Sequence, residues 1–94
     1  MLPQNEKYSV LLTDEALASL NKLDQSVIER VKKKLEALST LRPARTLKKH
    51  PDVWVLEIGD FRALYLINKT AKTRNVFFIG DHKDYEKKYF QMFK

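Results

Sequence analysis

Hydrophobic positions along the chain follow one period after another, and each change marks a new element. Tyr8-Ser9-Val10-Leu11-Leu12 reads as a short first strand. From Thr13 the period becomes helical. Thr13 is placed to cap a helix, and Asp14 and Glu15 follow where the positive end of the helix dipole favours carboxylates. Ala16, Leu17, Leu20 and Leu23 give this helix one apolar stripe. The turn at Asp24-Gln25-Ser26 opens a second helix, and Ser26 with Glu29 has the spacing of a capping box. Val27, Ile28, Val31, Leu35 and Leu38 recur at helical spacing, while Arg30, Lys32, Lys33, Lys34 and Glu36 face mostly outward. The two helices form an αα-hairpin.

Residues 42–52, bounded by Pro43 and Pro51, read as a loop carrying Arg42, Arg45, Lys48, Lys49 and His50. Strand periodicity then takes over in residues 53–58 and 61–68, separated by Gly59-Asp60 in the manner of a two-residue hairpin turn. The segment 69–74 is a loop, and residues 75–79 form a last strand. Successive strands on such short turns have to be antiparallel, because a parallel pair needs a crossover. In the middle strand Phe61, Ala63, Tyr65 and Ile67 share one parity, and Leu64 and Leu66 the other. Such a strand is covered on both faces. The αα-hairpin covers one. Tyr85, Tyr89 and Phe93, four apart on a C-terminal helix, cover part of the other. The expected fold is therefore α+β, ordered β-α-α-β-β-β with a short C-terminal helix, in one domain spanning residues 1–94. Arg62 has the Leu64 parity but stands at the start of its strand, so it is expected at the edge of the second face, near the loop lysines.

Composition adds that a chain of 94 residues, 44% of them hydrophobic, has material for one core. It has no cysteine, which suits a reducing cytosol. No apolar stretch opens the chain as a secretory signal would. The longest apolar run, residues 63–67, is far short of the ~18 residues a membrane span requires. A soluble cytoplasmic protein without a membrane partner is expected. Charge is more telling. The net charge is +6, yet residues 1–41 hold six basic and six acidic side chains, so the excess lies wholly in residues 42–94. A one-sided field of this kind draws polyanions, although charge also serves plain solubility.

The residues now assembled resemble the RelE/ParE superfamily of type II toxins, over essentially the whole chain. The resemblance rests on the opening strand of residues 8–13, on Lys22-Leu23-Asp24 and on Leu47-Lys48-Lys49. Residues 55–65, with Glu57-Ile58-Gly59-Asp60-Phe61-Arg62, look like the family's "R-V-G-D-Y-R-V-I-Y" hairpin. Ile79-Gly80-Asp81-His82-Lys83-Asp84-Tyr85 looks like the "G-T-H-x-x-Y" ending of HigB-like and YafQ-like members. The resemblance implies an antiparallel sheet with the αα-hairpin on one face and a basic concave surface on the other. It also implies a cognate antitoxin that forms a hetero-oligomer with a toxin otherwise monomeric. The RelE branch cleaves mRNA, typically in the ribosomal A site, whereas the ParE branch poisons DNA gyrase.

Metal-free RNA cleavage needs a base for the ribose 2′-hydroxyl, an acid for the departing 5′-oxygen, and cations where the phosphorane gains charge. His82 is the candidate base or acid, since imidazole titrates near neutrality; its competing role is a surface residue or helix cap. Arg62 is the candidate phosphate ligand, with an ion pair to Asp60 or Glu57 as its rival role. Lys48 and Lys49 are candidates for stabilising the pentavalent centre, against simple solvation. Tyr85 is placed either to meet the substrate or to pack in the C-terminal stripe. Arg42, Arg45, Lys83 and Lys87 are expected to track phosphates. Asp81 and Asp84 flank His82 and would either orient it or repel RNA. Trp54 is expected in core or rim packing, and His50 in a turn, with catalysis as its outside alternative. No cofactor is expected, and no metal, because two isolated histidines without cysteine do not make a ligand set. The leading expectation is a ribosome-dependent mRNA endonuclease, and the alternatives are a gyrase poison or an inactive relative that binds antitoxin or nucleic acid.

Overall fold

The computed structural model describes residues 7–40, 43, 45–47 and 50–92. Sequence expectations about Arg42, Lys48, Lys49 and Phe93 lie outside them. The order is β1 (Ser9–Leu12), α1 (Asp14–Asn21), α2 (Gln25–Ala37), β2 (Arg45–Leu47), β3 (His50–Ile58), β4 (Phe61–Asn68), β5 (Thr73–Asp81) and α3 (His82–Gln91). One sheet of five strands has the order β1-β5-β4-β3-β2. The α+β plan is the expected one, with two additions. Residues 42–52 are not all loop: Arg45, Thr46 and Leu47 pair with β3 as a short edge strand, and β3 begins at His50. The sheet is also mixed, because β1 lies parallel to β5, Ser9 opposite Thr73 and Leu12 opposite Val76. The helices and strands between them supply the crossover such a pair requires.

Local chemistry accounts for most boundaries. Thr13 Oγ1 accepts the Ala16 N–H at 3.1 Å, and Asp14 and Glu15 occupy the first turn of α1. The second helix departs from expectation. It starts at Gln25 behind Asp24, which makes no side-chain cap hydrogen bond, so Ser26 lies inside the first turn and the capping box is not formed. In α1, Ala16 and Leu20 are buried while Leu17 turns outward, because the helix offers the sheet a narrower face than its apolar content suggests.

Two clusters sandwich the sheet. On one face Ala16 and Leu20 of α1 and Ile28, Val31, Leu35 and Leu38 from the α2 region pack on Leu56, Ile58, Ala63, Tyr65, Val76 and Ile79. On the other, Leu47, Val53, Val55 and Leu64 lie under Phe77, Phe78, Tyr85, Tyr89 and Met92. The parities of β4 are assigned as the sequence required: Ala63 and Tyr65 to the hairpin side, Leu64 to the α3 side. A register shift between Leu64 and Tyr65 pairs them with Phe78 and Val76, so Phe77 is an extra residue on β5. Such a bulge lets Phe77 and Phe78, neighbours in sequence, join one cluster.

Arg74 of β5 is buried and donates from Nη1 to the Leu38 carbonyl at 2.6 Å, tying the end of α2 to the sheet. Its guanidinium also lies 4.7 Å from the Tyr8 ring centroid. By contrast α3 has no fully buried residue and rests on the sheet through its aromatic stripe.

These differences in burial translate into stability. Leu64→Ala, at a fully buried position, should lower unfolding free energy by about 2–5 kcal/mol. Thr13→Ala should cost about 1 kcal/mol through loss of the cap, and exposed Leu17→Ala about 0.5 kcal/mol or less. Urea unfolding of the three variants checks this ranking.

Candidate functional site

The β3–β4 hairpin turns at Gly59, whose φ of +60° is the left-handed conformation that glycine adopts without strain. This turn fixes the register, with Ile58 opposite Phe61 and Glu57 opposite Arg62. Directly opposed residues share a sheet face, so Glu57 and Arg62 both stand on the α3 side with Val55 and Leu64. Pairing of β2 with β3 sets Arg45 opposite Val55, on that same face. Arg45 Nη2 lies 2.7 Å from Glu57 Oε2, an ion pair with both side chains about half exposed.

The electrostatics follow from this row of arginine, carboxylate and arginine. The Glu57 carboxyl is held below the usual carboxylate range, first by its hydrogen bond to Arg45 and then by the charges of Arg45 and Arg62. The Arg45 guanidinium is in turn shifted upward, chiefly by the hydrogen bond to Glu57, with further contributions from the Glu57 charge and the Tyr85 hydroxyl. The Arg62 guanidinium carbon sits 5.3 Å from the Tyr85 ring centroid. Its Nε is buried and finds no hydrogen-bond partner among the described residues. Among the described residues neither Asp60 nor Glu57 forms an ion pair with Arg62, although the Arg62 charge acts on Glu57.

The third component arrives with α3. Asp81 caps this helix, its Oδ1 accepting the Asp84 N–H at 2.9 Å, which makes His82 the first helical residue. Gly80 allows the close approach this requires, since a Cβ there would fall 2.7 Å from Asp84 Cβ. Of the two roles left open for Asp81 and Asp84, orienting His82 or repelling RNA, neither accounts for the cap that Asp81 forms. The carboxylate in contact with His82 is that of Glu86, one turn along, its Oε2 3.2 Å from His82 Nε2. His82 lines two adjoining clefts, one shared with Arg62 and Lys83, the other with Arg45, Tyr85 and Glu86.

The fold thus brings together Arg45, Arg62, His82, Lys83 and Tyr85. It separates Lys87, which lies on the opposite flank of α3 in a groove shared with Glu15 and Lys22 of the α1 side. Arg42, Lys48 and Lys49 lie outside the described residues. His50 is the first residue of β3 rather than a turn residue, and Trp54 packs beside the hairpin-side cluster as expected. Sequence reasoning missed the roles of Glu57 and Glu86. The two-residue turn already implied that Glu57 faces Arg62, and the i,i+4 spacing of His82 and Glu86 becomes informative once the helix is known to start at His82. Among the described residues no three His, Asp or Glu side chains gather as a metal site, and no helix is long and apolar enough to cross a membrane.

Comparison with known proteins places this chain in a family. A chain of the RelBE2 toxin–antitoxin complex of Mycobacterium tuberculosis superposes with a TM-score of 0.73 at 24% identity, covering 81% of this chain and 99% of that one. A mutant RelE toxin of E. coli in the free state gives 0.72 at 23% identity, covering 85% and 88%. The intact E. coli RelBE toxin–antitoxin complex gives 0.68 at 28% identity, covering 79% and 95%. No curated protein matches by sequence. Residues 10–85 match the family described as the ParE toxin of the type II toxin–antitoxin system parDE. That match takes in well over half of the sequence and agrees with the shared fold, and the chain belongs to the RelE/ParE superfamily of type II toxins.

Proposed function

We propose that this toxin is a metal-independent endoribonuclease that cleaves mRNA in the ribosomal A site, in the cytoplasm, and is held in check by a cognate antitoxin. The observation that carries the reading is the convergence of two arginines, a histidine and a tyrosine on one sheet face. In the reaction the ribose 2′-oxygen bonds to phosphorus and the bond from phosphorus to the 5′-oxygen breaks. The products are a 2′,3′-cyclic phosphate and a 5′-hydroxyl end. The 2′-hydroxyl gives up a proton and the 5′-oxygen gains one; His82, with Glu86 on its Nε2, serves one of these transfers and water the other. Arg62, whose Nε has no hydrogen-bond partner among the described residues, meets the negative charge that builds on the phosphorane. Tyr85 backs Arg62 with its ring, and Arg45 and Lys83 hold neighbouring phosphates.

The antitoxin follows from the relatives, of which the M. tuberculosis and E. coli structures include toxin–antitoxin complexes. Free toxin is then a monomer that becomes part of a hetero-oligomer. One observation favours a second reading. The matching family is that of ParE, and the ParE branch poisons DNA gyrase. That reading assigns no chemistry to His82 and Arg62.

Induced expression of the wild type, His82→Ala and Arg62→Ala, with new mRNA 5′ ends mapped, separates the readings. Cuts within translated regions are expected for the wild type. Each variant should cleave about 10²-fold or more slowly while circular dichroism shows an unchanged fold. Full cleavage by both variants would falsify the assigned site. Growth arrest with intact mRNA and a DNA-damage response would establish the gyrase reading, and no arrest at all would mark an inactive relative.

A further inference from the structure

The face that carries Arg45 and Arg62 holds an anion of its own. On β3 and β4 the neighbours of Glu57 on this face are Val55, Leu64 and Arg62, and the carboxylate stands between two cations. It contacts Arg45 at 2.7 Å, while Arg62 lies opposite it across the hairpin. The pair is half exposed, and ion pairs of that kind add little to stability. Its presence therefore calls for another account than holding β2 to β3, which the backbone ladder already does. Carboxylate and phosphate oxygens present the same acceptors to a guanidinium, and either satisfies its donors at the same distance. A polyanion passing over this face meets a carboxylate where it needs a cation.

We propose that Glu57 is a built-in stand-in for a phosphate of the substrate. It occupies Arg45 in the free protein, and an incoming phosphate group replaces it there. The proposal rests on the RNA reading above and adds a role for a residue that reading leaves out. Free Arg45 would be a mobile surface side chain; engaged by Glu57, it is kept in place over the Tyr85 side of the cleft. The exchange also raises the threshold for binding. An isolated anion has to displace Glu57, whereas a strand that reaches Arg62 and Lys83 at the same time has the further contacts to do so. The depressed titration of Glu57 agrees with this placement, because the carboxylate remains charged, and a competitor, at neutral pH.

Two probes test the exchange on the full chain: a 2′-O-methyl RNA oligonucleotide, which lacks the nucleophile and is not cleaved, and inorganic pyrophosphate. Binding is measured for the wild type, Glu57→Gln, Arg45→Ala and the double variant across a range of salt. Glu57→Gln should bind both probes about tenfold more tightly, with a salt dependence steeper by about one counterion for the RNA. The gain should vanish in the Arg45→Ala background. Equal or weaker binding of both probes by Glu57→Gln overturns the proposal and makes Glu57 an organiser of Arg45. RNA binding by the wild type with no gain for Glu57→Gln also overturns it, and leaves the RNA reading standing. A gain seen with pyrophosphate alone, in a chain that binds no RNA, upholds the stand-in and removes the RNA reading. If neither protein binds either probe, the face is not an anion site and the proposal falls.

Discussion

Leu64 and Tyr65 are consecutive residues of β4, point to opposite faces of the sheet, and are both withdrawn from water. A strand with two buried faces needs a cover on each, and the molecule is arranged to supply them. The αα-hairpin provides one cover with side chains that are themselves buried. The other is lighter, resting on the aromatic edge of α3 and the bulged Phe77 and Phe78. Position three of five places β4 between two strands, with residues 61–65 paired to β3 and residues 61–68 paired to β5. Removing either cover would expose apolar surface at the centre of the sheet rather than at its edge.

The asymmetry of the two covers also leaves one margin of the sheet open. The α3 helix begins at His82, beside the turn end of the β3–β4 hairpin, and leaves the sheet there only partly covered. Arg62 stands at that margin, with its guanidinium against Tyr85 and its Nε shielded from water. Partial shielding strengthens the pull of such a cation on an anion, because less solvent competes for it. Arg45 reaches the same margin through β2, three residues long and paired on one side only. The acidic partners are as much part of the arrangement as the cations. Glu57 engages Arg45 and Glu86 engages His82, so two of the positive or titrating groups are in contact with a carboxylate in the free chain.

Periodicity and capping chemistry in the sequence determined much of this by themselves. The αα-hairpin, the parity of β4, the turn at Gly59-Asp60, the aromatic stripe of α3 and the basic bias of the second half are local properties. They are written in residue spacing, and they led to the right family. The place of Arg62 on the α3 face also followed from parity alone. Tertiary structure decided the rest, for reasons of range. Parallel pairing of β1 with β5 joins residues some sixty positions apart and leaves no local trace. The extra strand at Arg45–Leu47 is too short to show a period and exists because β3 offers it an open edge. The bulge at Phe77 arises from fitting β5 against β4, and the outward turn of Leu17 from the area the sheet can cover. Above all, the separation of Lys87 from His82 and the meeting of Arg45 with Glu57 depend on which flank of α3 and which face of β3 a side chain leaves from. Spacing along the chain tells which residues can share a face; only packing of one element on another tells which faces meet.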